Sequence, residues 1–152
     1  MSLIPEHSVL ANMRLLCLAS EGQGEDWANK LKQIDELILQ EGFDLAEESI
    51  FLTYDRAPGS VMAGESQCVI GRSVIGPKKD YPKPFQVVDW KSAPVYQFEL
   101  MGSEWQNLWE ECLSHWEKLH RENKKISSSF MLKLKRRLTP SLSLSCSVFF
   151  YE

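Results

Sequence analysis

The chain has 152 residues, 43% of them apolar, with 17 basic and 21 acidic side chains for a formal net charge of -4. At this length folding hides roughly 70% of the extended chain's surface, which allows a core without metals or disulfides and argues against intrinsic disorder. The acidic balance weighs against a nucleic-acid binder, which needs a basic stripe to displace counterions from phosphates.

Residues 10–20, LANMRLLCLAS, form a short apolar run closed by Glu21, Gly22 and Gly24, the pattern of a buried strand and a turn. In the next segment Trp27, Leu31, Ile34, Leu37 and Ile38 recur at steps of three and four, so residues 25–41 read as a helix with Gly42 at its C-cap. Strands follow at 49–55 and 66–76, and the polar stretch after Pro77 is a connection. The second half brings strand material at 85–91 and 95–101, a helix over 103–122, and final strands at 128–138 and 141–152.

The order is strand, helix, strand, strand, twice. An offset of 78 residues aligns Gly24 with Gly102, Trp27 with Trp105, Asn29 with Asn107, Ser49 with Ser127 and Cys68 with Cys146. Gly-x-x-Trp-x-Asn thereby opens both helices, which points to an internal duplication. The expectation is one α+β domain spanning 1–152, with halves at about 10–76 and 85–152: an antiparallel sheet, two helices on one face and a groove between them.

Chemistry-bearing signals are sparse. Cys17, Cys68, Cys112 and Cys146 are far apart, without a CxxC pair, and read as small buried hydrophobes in a reducing compartment. His7, His115 and His120 form no ligand spacing, so no metal is expected. No phosphate loop, GxSxG elbow or nucleophile-base pair is present, and no cofactor is implied. Glu25/Asp26, Glu47/Glu48 and Glu110/Glu111 are sequence neighbours whose side chains splay apart. Residues 132–138, LKLKRRL, read as a charged strand face that resists edge-to-edge pairing. The apolar stretch at 13–19 contains Arg14 and is too short to span a bilayer; a cytoplasmic protein is expected.

The second helix carries Trp105, Leu108, Trp109, Cys112, Trp116 and Leu119 on one stripe. Such a stripe is core packing, but indole rings are rarely buried completely and their N–H groups need partners, so it also suits the border of a pocket.

Three strings carry a family resemblance: TYDRAP (53–58), SQCVIGRSV (66–74) and VYQFELMGSEWQNLW (95–109). In this order and spacing the chain resembles the GyrI-like, or effector-binding, domains, whose fold is a duplicated strand-helix-strand-strand unit. The resemblance implies an aromatic groove that binds amphipathic, often cationic, small molecules, with Tyr54, Trp105 and Trp109 in the pocket. Trp90, Tyr96, Phe130, Phe149 and Tyr151 join the candidate ligand-binding set by their placement in strands. One departure stands out: where the family places a Glu after an aromatic in the fifth strand, this chain has Met131 after Phe130, and an acid frequent in the last strand is Ser147. A buried cation would lack a counter-charge there, which favours a neutral ligand, and Lys133 nearby could favour an anion.

The expected function is a stand-alone small-molecule-binding module with no catalytic residues and a hydrophobic or amphipathic ligand as partner, since the two halves leave no room for a helix-turn-helix domain. One alternative is a hydrolase of strained cyclopropane-bearing alkylating compounds, for which Glu99, Glu111 or Glu152 would have to supply the acid. Another is a protein-interaction inhibitor such as one of DNA gyrase.

Overall fold

The computed structural model describes residues 6–20, 25–56, 58–59, 68–76, 81–102, 105–123, 126–127, 129–134 and 144–151; within them, the side chains of 6, 25–26, 101–108 and 144–145 are outside the description. The elements are β1 (Glu6–Leu10), β2 (Met13–Ser20), α1 (Glu25–Glu41), β3 (Asp44–Tyr54), β4 (Cys68–Ile75), β5 (Gln86–Trp90), β6 (Ala93–Gly102), α2 (Trp105–Glu122), β7 (Phe130–Leu134) and β8 (Leu144–Tyr151). All strands join one antiparallel sheet in the order β1-β6-β8-β7-β3-β4-β2-β5.

The order among the described residues is therefore ββαββ twice: β5 falls on the expected strand at 85–91, and β1 is the strand that precedes the first expected half. β1 escapes a reading by hydrophobicity because Glu6, His7 and Ser8 offer no apolar face; pairing with β6 makes it a strand. β3 starts at Asp44, and its polar first half leaves the sheet's register at a bulge between Leu45 and Ile50.

Connection lengths force the sheet to curl. β1 and β2 stand first and seventh in the strand order, about 29 Å apart in a flat sheet. Two residues, Ala11 and Asn12, join them and reach at most about 11 Å. Lys91 and Ser92 join β5 to β6 under the same constraint. The two crossovers meet, and the Ser92 N–H donates to Asn12 Oδ1 at 2.6 Å.

Alternation sorts the sheet's side chains into two cores. Leu16, Leu18, Leu52, Ile70, Phe130, Leu132, Val148 and Phe150 pack with the buried stripes of both helices, so α1 and α2 cover one face. On the other, inside the curl, Leu15, Phe51, Val95, Met131 and Phe149 form a second cluster flanked by Leu10, Met13, Trp90 and Tyr151. The predicted stripe of α1 is the buried one, and Leu39 on its back is 83% exposed.

α1 ends where Gly42 takes a φ of +72°, and the Phe43 N–H donates back to the Ile38 carbonyl at 3.1 Å. A side chain strains this left-handed turn by roughly 1–2 kcal/mol. Gly42→Ala is therefore expected to lower stability by about 1 kcal/mol, read as a lower urea midpoint, and an unchanged midpoint would show that the cap contributes nothing.

Candidate functional site

The curl and the helices divide the predicted aromatic residues between the two cores. On the helix side Tyr54 stacks on Phe130 (4.9 Å, 11°), and Trp109 meets both edge-on at 5.3 and 6.0 Å. These rings are packed solid: Tyr54 is 3% exposed, Trp109 5% and Phe130 0%. A ligand touching them between the helices would have to displace protein first. The Tyr54 hydroxyl and the Trp109 indole N–H are buried, and among the described residues neither reaches an oxygen or nitrogen partner. Burial, with the Cys68 thiol beside it, pushes the Tyr54 phenol well above its ordinary range. Trp116 differs, donating to the Ser127 carbonyl at 3.3 Å.

The cluster continues through Phe150 and Phe98 to His115, which stacks on Phe98 at 4.1 Å. Burial lowers the His115 pKa from 6.5 and outweighs the opposing pull of Glu111, 3.7 Å away. The unfolded chain therefore takes up this proton first, so stability is full above pH 6.5 and falls below it until the folded histidine also titrates. Thermal melts from pH 7.5 to 5 should show this loss, and His115→Phe should flatten it; an identical pH slope in the variant would remove His115 as the cause.

Among the described residues, open space lies elsewhere. A cavity of about 230 Å³ is lined by Thr53, Tyr54, Asp55, Val69, Trp90 and Ser129. Thr53 and Val69 are a cross-strand pair on the face of the second core. Trp90 forms one wall because the β5–β6 crossover returns the chain over the curl, where its ring stacks on Tyr151 at 6.0 Å and 8°. Behind that stack the Tyr151 hydroxyl is buried without a partner among the described residues, and burial pushes its pKa up to about 12. Ser129 Oγ donates to the Asp55 carbonyl at 3.5 Å, tying two of the polar lining residues together. The volume equals that of seven or eight waters at ~30 Å³ each, below the ~300 Å³ at which drug-sized sites begin. It suits a molecule of one or two rings.

Of the predicted site residues, Tyr54 and Trp90 line this cavity, Tyr151 backs it, and Phe149 lies in the adjoining core. Phe130 and Trp109 belong to the helix-side cluster. Tyr96 meets the His7 ring at 4.8 Å in a tilted contact (36°) across the β1–β6 pair. Trp105 is the first residue of α2, and its side chain lies outside the described residues. Thr53, Asp55, Val69 and Ser129 were not anticipated as lining residues. TYDRAP contains two of them and SQCVIGRSV a third, Val69, but nothing local marks Val69 or Ser129 as lining.

The charge expectations also need revision. Met131 is fully buried in an apolar cluster, and Ser147 donates to Glu99 Oε1 at 2.7 Å. Lys133, considered for an anion, is bound by Glu47 at 2.8 Å. The described carboxylate at the cavity is Asp55, which is exposed. All four cysteines are buried free thiols, and burial pushes Cys17 up to about 11.

Comparison with solved structures places this architecture. The chain superposes on the EcmrR C-terminal domain with a TM-score of 0.75 at 8% identity, over 98% of both chains. It has the same fold. SAV2435, solved bound to tetraphenylphosphonium, matches with a TM-score of 0.58 at 12% identity, over 98% of this chain and 93% of that one. At these identities the likeness shows the fold alone. No family profile and no curated protein matches the chain. Among the described residues no helix is long and apolar enough to cross a membrane.

Proposed function

We propose that this chain is a small-molecule-binding module of the GyrI-like kind, duplicated in origin, whose ligand is a small aromatic or amphipathic molecule held in the cavity beside Trp90. The observation that carries this reading is the cavity's composition: a stacked indole wall, three hydroxyl-bearing residues and one carboxylate around about 230 Å³. An indole face attracts cations and offers apolar area at little entropic cost, and Asp55 provides a counter-charge at the wet side of the space. A cationic ring system is therefore preferred over an anion. The tetraphenylphosphonium held by SAV2435, a chain of the same fold, supports the class of ligand.

The hydrolytic alternative has less support, since it requires a poised acid or base. Glu99 accepts hydrogen bonds from Ser147 and Gln97, at 2.7 and 2.9 Å, and Glu111 faces His115 on α2. No observation favours the gyrase-inhibitor reading.

Titration with benzyltrimethylammonium, followed by tryptophan fluorescence, tests the proposal. Saturable quenching is expected, with a lower affinity for a benzoate-type anion of equal size. Quenching that is linear and equal for both would remove the cavity as a site.

A further inference from the structure

The sheet registers relate the two halves residue by residue. An offset of 80 carries Met13↔Trp90 of β2–β5 onto Ala93↔Leu10 of β6–β1, and Thr53↔Met131 onto Lys133↔Phe51, about a two-fold axis through Leu52↔Leu132. For the last strand the offset is 78, which carries the Val69 neighbours Thr53 and Ala19 onto the Ser147 neighbours Lys133 and Glu99. The sequence offset of 78 therefore holds for Cys68 and Cys146, while β1, β2 and β3 need two residues more.

Applied to the cavity, this relation locates its counterpart. Thr53 corresponds to Lys133, Val69 to Ser147, Ser129 to Ser49 and Trp90 to Leu10; the counterpart of Asp55 lies outside the described residues. The two places differ in chemistry. Lys133 Nζ sits 2.8 Å from Glu47 Oε2 and 6.0 Å from the Phe51 ring centroid, and Ser49 Oγ donates to the same Glu47 oxygen at 3.4 Å. Beside it Ser147 is held by Glu99, where the cavity has Val69 and Ala19. A ring and a carboxylate around an ammonium group are what a site for an organic cation provides.

The geometry points to Lys133 as a tethered plug: its side chain occupies the counterpart of the Trp90 cavity in the manner of a bound cation, so that of these two related places only the one at Trp90 is vacant. The vacancy at Trp90 rests on the function proposed above; the plug does not. Replacing Lys133 by its counterpart residue, Lys133→Thr, removes the ammonium and most of the side chain's length, leaving Glu47 and the Phe51 ring to receive an external cation.

Equilibrium dialysis with benzyltrimethylammonium decides the matter. One equivalent bound by the native chain and two by Lys133→Thr is the expected result, with the second lost again in Lys133→Thr/Glu47→Gln. A count of one in both native chain and Lys133→Thr overturns the plug. No binding to the native chain, with one Glu47-dependent equivalent in the variant, upholds the plug and sinks the Trp90 site; no binding to either removes both. Should Lys133→Thr fail to fold, amine acetylation of the native chain decides: Lys133 should react several-fold more slowly than the exposed Lys118, with Glu47→Gln closing the gap. Equal rates in the native chain overturn the proposal.

Discussion

Asp35→Ala is expected to destabilise the protein by about 3 kcal/mol, more than Arg72→Met, although the two residues are partners in one ion pair. Arg72 projects from β4 beneath α1 with its side chain 3% exposed, whereas the Asp35 carboxylate is 44% exposed. The guanidinium donates to both Asp35 oxygens, at 3.0 and 3.2 Å, and to the Glu48 carbonyl in the bulged part of β3 at 2.6 Å. Removing the aspartate strands a buried cation with one neutral acceptor. Removing the arginine leaves a carboxylate that water can solvate and one backbone carbonyl unpaired, a loss of roughly 1–2 kcal/mol. Urea unfolding of both variants measures the order, and a larger loss in Arg72→Met would mean that the guanidinium acts through packing and the Glu48 carbonyl, with the ion pair secondary.

Trp109→Ala and Trp90→Ala are expected to separate stability from binding. Trp109 is enclosed by Tyr54 and Phe130, so its truncation leaves a hole in the helix-side core and costs about 3–5 kcal/mol, while a variant that still folds keeps its affinity for benzyltrimethylammonium. Trp90 stands at the cavity, half-buried, and its truncation should weaken the same ligand by roughly tenfold or more, the value of a cation–π contact of 1–2 kcal/mol. Paired melts and titrations check both statements. A loss of affinity in a folded Trp109→Ala protein would return the site to the space between the helices.

Local pattern made much of the fold legible. The three- and four-residue spacing from Trp27 to Ile38 sufficed for α1 and its buried face, Gly42 for its end, and alternation for β7 and β8, because each signal is contained within a few residues of chain. The candidate site was legible only in part. The family resemblance singled out Tyr54, and placement in a strand singled out Trp90, yet sequence spacing could not tell that Tyr54 packs with Trp109 and only borders the cavity that Trp90 faces. Nor could it mark Val69 or Ser129, whose roles depend on what lies across the sheet.

The sequence by itself determined the buried face of α1, the α+β class and the buried cysteines. The tertiary structure alone decided where an opening exists. Two two-residue crossovers, pinned by Asn12 and Ser92, curl the sheet until Trp90 reaches Tyr151 and Thr53. Periodicity reports which face of an element is apolar; the closing of a sheet depends on strand order and register, which pair residues far apart in the chain, as Met13↔Trp90 and Glu6↔Gln97, 77 and 91 positions apart, illustrate.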